Sequence, residues 1–251
     1  RVVAGRRGRL GWFGLAPTGA VGAAWARATR YWLTDPRYLR NLLIVALLRQ
    51  QVAFAFGGRV EGTPFAFVVV LPALLLGLVP YADVSYDGTA FASVLATGIR
   101  GRADRAGRLL GAATAAVPLL VIVAVVTVGL SGRWELLPAV LGCALGAELA
   151  GLGICAVSSA HLVIPVPAAG DNIFKRVPGQ SFWVGIALMG FTLLAAALGR
   201  PALVLAVLAA LQGSALWSWL ALAAGLVVGA GVAAAGVAIG LMVALAFASV
   251  L

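Results

Sequence analysis

Four polar residues stand where the sequence is otherwise apolar: the run Arg49-Gln50-Gln51 and, far downstream, Glu148. An ionisable side chain at the centre of an isolated membrane helix costs on the order of 3 kcal/mol, so each should face protein or water, not lipid. Both charges lie near the middle of apolar stretches, which makes an Arg49–Glu148 ion pair geometrically possible. The alternatives are that one of them lines a polar pathway, or that the stretch around Arg49 does not span. Other chemistry has little to stand on. Lys175 is the only lysine and follows Phe174, so no G-x-x-x-x-G-K-[ST] phosphate loop exists and ATP hydrolysis by that route is excluded. His161, the single histidine, has no cysteine or carboxylate at metal-ligand spacing. No G-x-S-x-G elbow or paired carboxylates suggest a catalytic cleft, and the chain reads as neither an enzyme nor a holder of its own cofactor. Cys143 and Cys155 share one apolar block, about 18 Å apart along a helix, too far to bridge each other. They read as small core-filling thiols.

The elements that position these groups follow from composition. Of 251 residues, 63% are apolar and 10% charged, against roughly half and a quarter in soluble domains. The apolar residues come in long blocks, and a bilayer needs roughly 20 per helix because each backbone group must be satisfied within its own segment. The expected fold is therefore an all-α membrane protein with about six transmembrane helices: Asn41–Phe56, Pro64–Tyr81, Leu109–Leu130, Leu136–Ala160, Phe182–Leu198 and Trp217 to about Val250. Ala202–Leu211 is apolar but too short to cross alone, so it extends the fifth span or dips back into the membrane. Residues 1–40 form a basic segment without a signal-peptide core. Within it, Ala20 to Leu33 mixes Trp25, Trp32 and Tyr31 with Arg27 and Arg30, as suits an interfacial helix at headgroup level. Thr34-Asp35-Pro36 reads as a turn and a new helix start. Because the chain begins at Arg1, it reads as a fragment or a trimmed chain.

Charge sets the expected orientation. Fourteen of the 18 Lys and Arg fall in the first forty residues and in loops 82–108 and 161–181, while only Arg59, Arg133 and Arg200 fall between the other spans. The positive-inside rule then puts both termini and both longer loops in the cytoplasm, and 41–251 in the membrane. The net charge of +10 is mostly a topology signal and a contact with anionic lipid. Nucleic acid is a poor partner, because the arginines are spread along membrane flanks.

The loop from Tyr81 to Arg108 carries the most information. Ser85 or Asp87 can cap a helix, and Phe91, Val94, Leu95 and Ile99 recur at helical spacing. Such an amphipathic helix either rests on the membrane or docks a cytoplasmic partner, with Arg100 and Arg102 among the basic residues that follow. The Gly142/Gly146, Gly225/Gly229 and Gly236/Gly240 pairs permit close helix approach. Among 32 glycines such spacings also arise by chance, and ordinary helix packing accounts for them.

Three stretches carry a family resemblance: PTGAVGAAWARATRYWLTDPRYLRNLL, YDGTAFASVLATGIRGRADRAGRLLGA and PVPAAGDNIFKRVPGQSFW. In their order they resemble the membrane subunit of actinobacterial ABC-2-type exporters, and more closely the C-terminal half of the duplicated long permeases. The likeness covers most of Pro17 to Trp183, with the last two spans similar only in hydropathy. It implies a permease in a bacterial cell membrane that forms a substrate path. A separate nucleotide-binding ATPase subunit would hold ATP and Mg. A second permease half, or a homodimer, would complete the path. The loop helix would then be the cytoplasmic coupling helix, with Asp87, Phe91, Val94, Leu95, Ile99, Arg100 and Arg102 meeting the ATPase. The family's first span is plain aliphatic, whereas this one carries Arg49-Gln50-Gln51, as would suit a polar substrate or a partner subunit. A secondary transporter and a non-transporting membrane scaffold are the alternatives.

Overall fold

A backbone surrounded by apolar side chains has only its own helix ladder for hydrogen bonding, and the apolar blocks of this chain fold accordingly. The structure, a computed structural model, describes residues 18–43, 62–162, 166 and 182–248. Helix α1 (Ala20–Thr34) stops where Asp35 turns extended, and α2 follows over 36–43. Most of the expected first span, with Arg49, Gln50 and Gln51, lies outside the described residues, as does loop 167–181.

Helix α3 (Thr63–Asp87) is interrupted, with 3-10 turns at Phe67–Val69 and Val79–Ala82. Pro72 and Pro80 explain this, since each lacks the N–H that would continue the ladder and the chain tightens beside the gap, whereas Pro64 sits in the first turn, where no ladder bond is lost. A short α4 (Ala90–Ala96) sits between Gly88 and Gly98, whose φ values of +52° and +67° belong to left-handed turns. Helix α5 (Gly101–Ser131) starts well before its apolar stretch and ends at Gly132, φ +72°. Helix α6 (Leu137–His161), α7 (Phe182–Leu198), α8 (Arg200–Gln212) and α9 (Ala215–Ala248) complete the chain.

Among the described residues the fold is all-helical, without a strand. Four stretches are long and apolar enough to cross a membrane: Thr63–Asp87, Gly101–Ser131, Trp134–Ser159 and Ala215–Ile239. The pair α7–α8 would make a fifth, bent by 53°. These helices suit a multi-pass membrane protein. Arg200, expected in a loop between spans, instead opens the second helix of the bent pair beside Gly199, which packs near Gly146 and Gly225.

Helix α6 is the hub, with 78% of its apolar window buried against 17% for α9. Its contacts are made by glycine. A methyl on Gly146 would lie 2.8 Å from the Gly225 carbonyl oxygen, one on Gly229 2.9 Å from the Gly146 oxygen, and one on Gly153 2.5 Å from that of Val232. Backbone therefore packs on backbone along α6 and α9, which van der Waals contact rewards when lipid offers no hydrophobic drive. The α3–α6 crossing is similar, with a Gly151 methyl placed 2.8 Å from the Gly77 carbonyl carbon. Gly107 and Gly111 likewise let α1 lie directly on the first turns of α5, where Trp25 Nε1 donates to Thr114 Oγ1 at 2.9 Å. Cys143 and Cys155 are buried free thiols within this core, and Cys155 Sγ donates to the Leu78 carbonyl at 3.4 Å.

Antiparallel packing gives the bundle two chemically distinct ends. At one, Arg133 Nη1 donates to Thr63 Oγ1 at 3.1 Å, and Ser218 Oγ accepts from the Ala139 N–H at 3.1 Å, satisfying a donor that α6 leaves open at its start. The other end holds the last turn of α3, the first turns of α5 and the end of α6, together with α1 and α4.

Candidate functional site

The second end is built around Arg108. Asp83 and Asp87 lie one turn apart on α3, and Asp104 lies one turn before Arg108 on α5, so two i, i+4 pairs face each other. Arg108 Nε donates to Asp104 Oδ2 at 2.7 Å, Nη1 to Asp83 Oδ2 at 3.0 Å, and Nη2 to Asp87 Oδ2. Arg27 of α1 reaches in from the side, with Nη2 2.8 Å from Asp104 Oδ1 and Nη1 3.9 Å from Asp87 Oδ2. Two cations thus face three carboxylates, and the third negative charge is met by a neutral donor: the Tyr38 hydroxyl donates to Asp83 Oδ1. Burial, then the Asp83 carboxylate, holds the Tyr38 hydroxyl well above the ordinary tyrosine range, so it stays protonated and keeps donating. Tyr38 is wedged between Trp32 and Tyr86, at ring distances of 5.1 and 5.3 Å. Arg105 Nη1 adds a bond to Ser159 Oγ on α6.

The Arg108 side chain is only 5% exposed and that of Asp87 3%. Carboxylates whose lone pairs are occupied by guanidinium do not serve as general bases in this arrangement. The network instead fastens α1, α2, α3 and α5 to one another through directed, charge-assisted bonds. Sequence reasoning passed over it, placing Arg108 with Arg100, Arg102 and Arg105 as loop arginines that would meet phosphates or acidic residues of a partner. A signal was present: three of the chain's eight acidic residues fall within Asp83–Asp104, with Asp83 and Asp87 four residues apart and Asp104 four residues before Arg108.

The expected coupling residues divide. Asp87 closes α3 with its carboxylate turned inward to Arg108, so it neither caps the loop helix nor presents itself to a partner. Thr89 precedes α4 instead, and no side chain caps that helix. Helix α4 also ends earlier than expected, at Ala96, because Thr97-Gly98 turns the chain. Ile99 is half-buried beyond it, Arg100 precedes α5, and Arg102 occupies the first turn of α5, both arginines exposed. Phe91 and Val94 are half-buried and Leu95 is 62% exposed, and α4 contains no buried residue. Val94 and Ile99 line a groove of about 250 Å³ between α4 and α1, with Arg27 and Asp104 also in its wall.

Glu148 stands apart. It is fully buried in α6 at the crossing with α3, and among the described residues neither carboxylate oxygen has a hydrogen-bond partner. The proposed partner Arg49 lies outside the described residues. A buried polar group without a partner costs about 1–3 kcal/mol, so Glu148→Leu should stabilise the protein by an amount of that order. Unfolding of wild type and variant in the same micelle tests this. A loss of stability would instead show that the carboxylate is paired.

No protein-family model matches the chain, and no curated protein and no solved structure is significantly similar to it.

Proposed function

We propose that this chain is the transmembrane subunit of an ATP-driven exporter of the ABC-2 type, powered by a separate ATPase chain that binds ATP and Mg. The observation that carries this proposal is α4, a helix with no buried residue held out from the bundle beside a buried ion network. A helix that only completed the fold would bury its apolar side; this one leaves Leu95 largely exposed. Two of the three stretches that carry the family resemblance are also those the network joins. Arg27 and Tyr38 lie in the first, and Asp87, Asp104 and Arg108 in the second.

In this proposal the chain crosses a bacterial cell membrane six times, with 41–56 as the first crossing and the bent α7–α8 pair as the fifth. Both termini and α4 face the cytoplasm, and a second permease half or an identical copy completes the substrate path. Closure of the ATPase presses on α4 between its two glycine turns. Because Asp83 and Asp87 of α3 are locked to Arg108 of α5, the load passes to α1, α3 and α5 together and rocks them as one body.

Replacing Phe91 and Leu95 together with Asp tests this. Insertion and folding should be unchanged, because neither side chain is buried, while co-purification with the ATPase subunit is lost. Full retention of the ATPase with normal hydrolysis would remove the coupling role. A secondary transporter is the second reading, favoured by Glu148, which has no hydrogen-bond partner among the described residues, and by the bent α7–α8 pair. It would be preferred if liposomes holding this chain alone moved substrate down an ion gradient.

A further inference from the structure

Helices α7 and α8 meet at a bend of 53°, and the residue at the bend is Arg200. Pro201 sets the break, since it has no N–H with which to continue the ladder of α7. Depth follows from packing. Gly199 and Ala202, to either side of Arg200, line a crevice with Gly142 and Gly146 of α6 and Gly225 of α9. Gly146 lies midway along the 26-residue stretch Trp134–Ser159, and Gly225 close to the middle of the 25-residue stretch Ala215–Ile239. Taken as one crossing, the bent pair therefore carries a guanidinium near the middle of the hydrocarbon, roughly 15 Å from either surface.

This arginine looks out of the bundle. It is exposed, and among the described residues no hydrogen bond or ion pair engages its side chain. Ala196, Leu203, Val204 and Val207, at helical spacing to either side, are exposed as well, so the face is apolar except for this one cation. Lipid tails offer a guanidinium no acceptor, and a charge at this depth calls for one. None of the described carboxylates of this chain supplies it. Asp35, Asp83, Asp87 and Asp104 are bound at the network end, and Glu135 pairs with Arg133 at the other. Glu148 lies at the right depth but is fully buried at the crossing with α3. An identical copy would bring the same set, and two copies joined through this face would bring Arg200 toward Arg200.

We infer that the α7–α8 face docks a membrane helix of a different chain, one whose carboxylate at mid-depth pairs with Arg200. The inference rests on the bent pair crossing as one span, as in the proposal above, and it specifies the second half that the proposal calls for; the ATPase plays no part in it. The chain is reconstituted in phosphatidylcholine liposomes with synthetic Leu/Ala helices of about 22 residues that carry Glu, Gln or Leu at the central position. Association is read by energy transfer between dyes on peptide and protein. The Glu peptide should bind about tenfold more tightly than the Leu peptide, the usual worth of a polar contact between membrane helices. Arg200→Leu should erase that preference and leave the melting profile intact, because the side chain is exposed. Arg200→Glu should turn the preference toward a peptide with a central Arg. Should Arg200→Leu fail to fold, the three peptides on wild type still decide. Equal binding of the Glu and Leu peptides would overturn the inference, and equal binding of Glu and Gln would overturn the carboxylate. Cross-linking between copies through Val204→Cys, with Cys143→Ala and Cys155→Ala, would show that a second copy covers the face. Displacement of the Glu peptide by as much dodecyl phosphate would mark a contact for anionic amphiphiles instead; either result overturns the assignment. In the same cysteine-free background Arg200→Cys should resist an impermeant maleimide from both sides. Labelling would place position 200 in water and remove the single crossing along with this inference, whereas protection without a preference for the Glu peptide overturns the inference alone.

Discussion

Replacing Arg108 with methionine should cost about 3–5 kcal/mol of stability or abolish recovery of folded protein, because three carboxylates would remain buried with only Arg27 and Tyr38 to meet them. Side-chain volume is nearly kept, so the loss reports charge, not packing. Two comparisons make the result interpretable. Arg133→Ala removes an ion pair to Glu135 whose partners are 33% and 39% exposed, and it should cost no more than about 1 kcal/mol. Combining Arg108→Met with Asp83→Asn, Asp87→Asn and Asp104→Asn removes the uncompensated charge and should recover most of the lost stability. Unfolding of all four proteins in one micelle system supplies the measurement. An Arg108→Met loss no larger than that of Arg133→Ala would show that the network does not hold the helices together. It would also take away the route by which α4 is proposed to move α1, α3 and α5.

Gly225→Leu should disrupt the bundle at its other main junction. A Cβ at this position would lie 2.6 Å from the Gly142 carbonyl carbon and 3.0 Å from its Cα, and backbone cannot rotate aside as a side chain can. Helices α6 and α9 would have to separate along their shared face, at a cost near the upper end of the usual overpacking range, about 3 kcal/mol. Gly231→Ala is the matched control on the same helix. Nothing among the described residues lies within 4 Å of its added methyl, so it should be neutral or gain up to about 1 kcal/mol from helix propensity. Melting temperatures of the two variants against wild type decide the matter. Similar values would mean that α6 and α9 are not packed backbone to backbone.

These two results concern features that the sequence treats very differently. Two of the apolar helices were readable almost to the residue: Phe182–Leu198 matches α7, and Leu136–Ala160 is displaced from α6 by one residue at each end, whereas Pro64–Tyr81 stops six residues short of the end of α3 and Leu109–Leu130 begins eight residues inside α5. That legibility has a local cause, because hydrocarbon leaves a backbone no partner but its own ladder, so hydropathy alone fixes where helix must run. The stop at Asp35 and the left-handed turn at Gly132 are local for the same reason, since each depends on a few neighbouring φ and ψ angles. The irregularity of α3 was within reach too, spelled out by Pro72 and Pro80.

What only the tertiary structure decided were the meetings between distant residues. Arg27 and Asp104 are 77 positions apart, and Tyr38 and Asp83 are 45 apart. Polarity alone marks all of them as flanking residues, and the choice among partners is made by how α1 lies across the glycine face of α5. Asp87 shows the consequence: the family resemblance offered it to a partner, and packing turned it inward to Arg108. The glycines divide in the same way. Gly142, Gly146, Gly225 and Gly229 meet backbone while Gly185, Gly190 and Gly231 meet nothing among the described residues, though all seven lie in apolar helices. A glycine motif states only that two helices can approach closely; which faces do so depends on the relative rotation of whole helices, and that is set by the sum of their contacts rather than by any one segment.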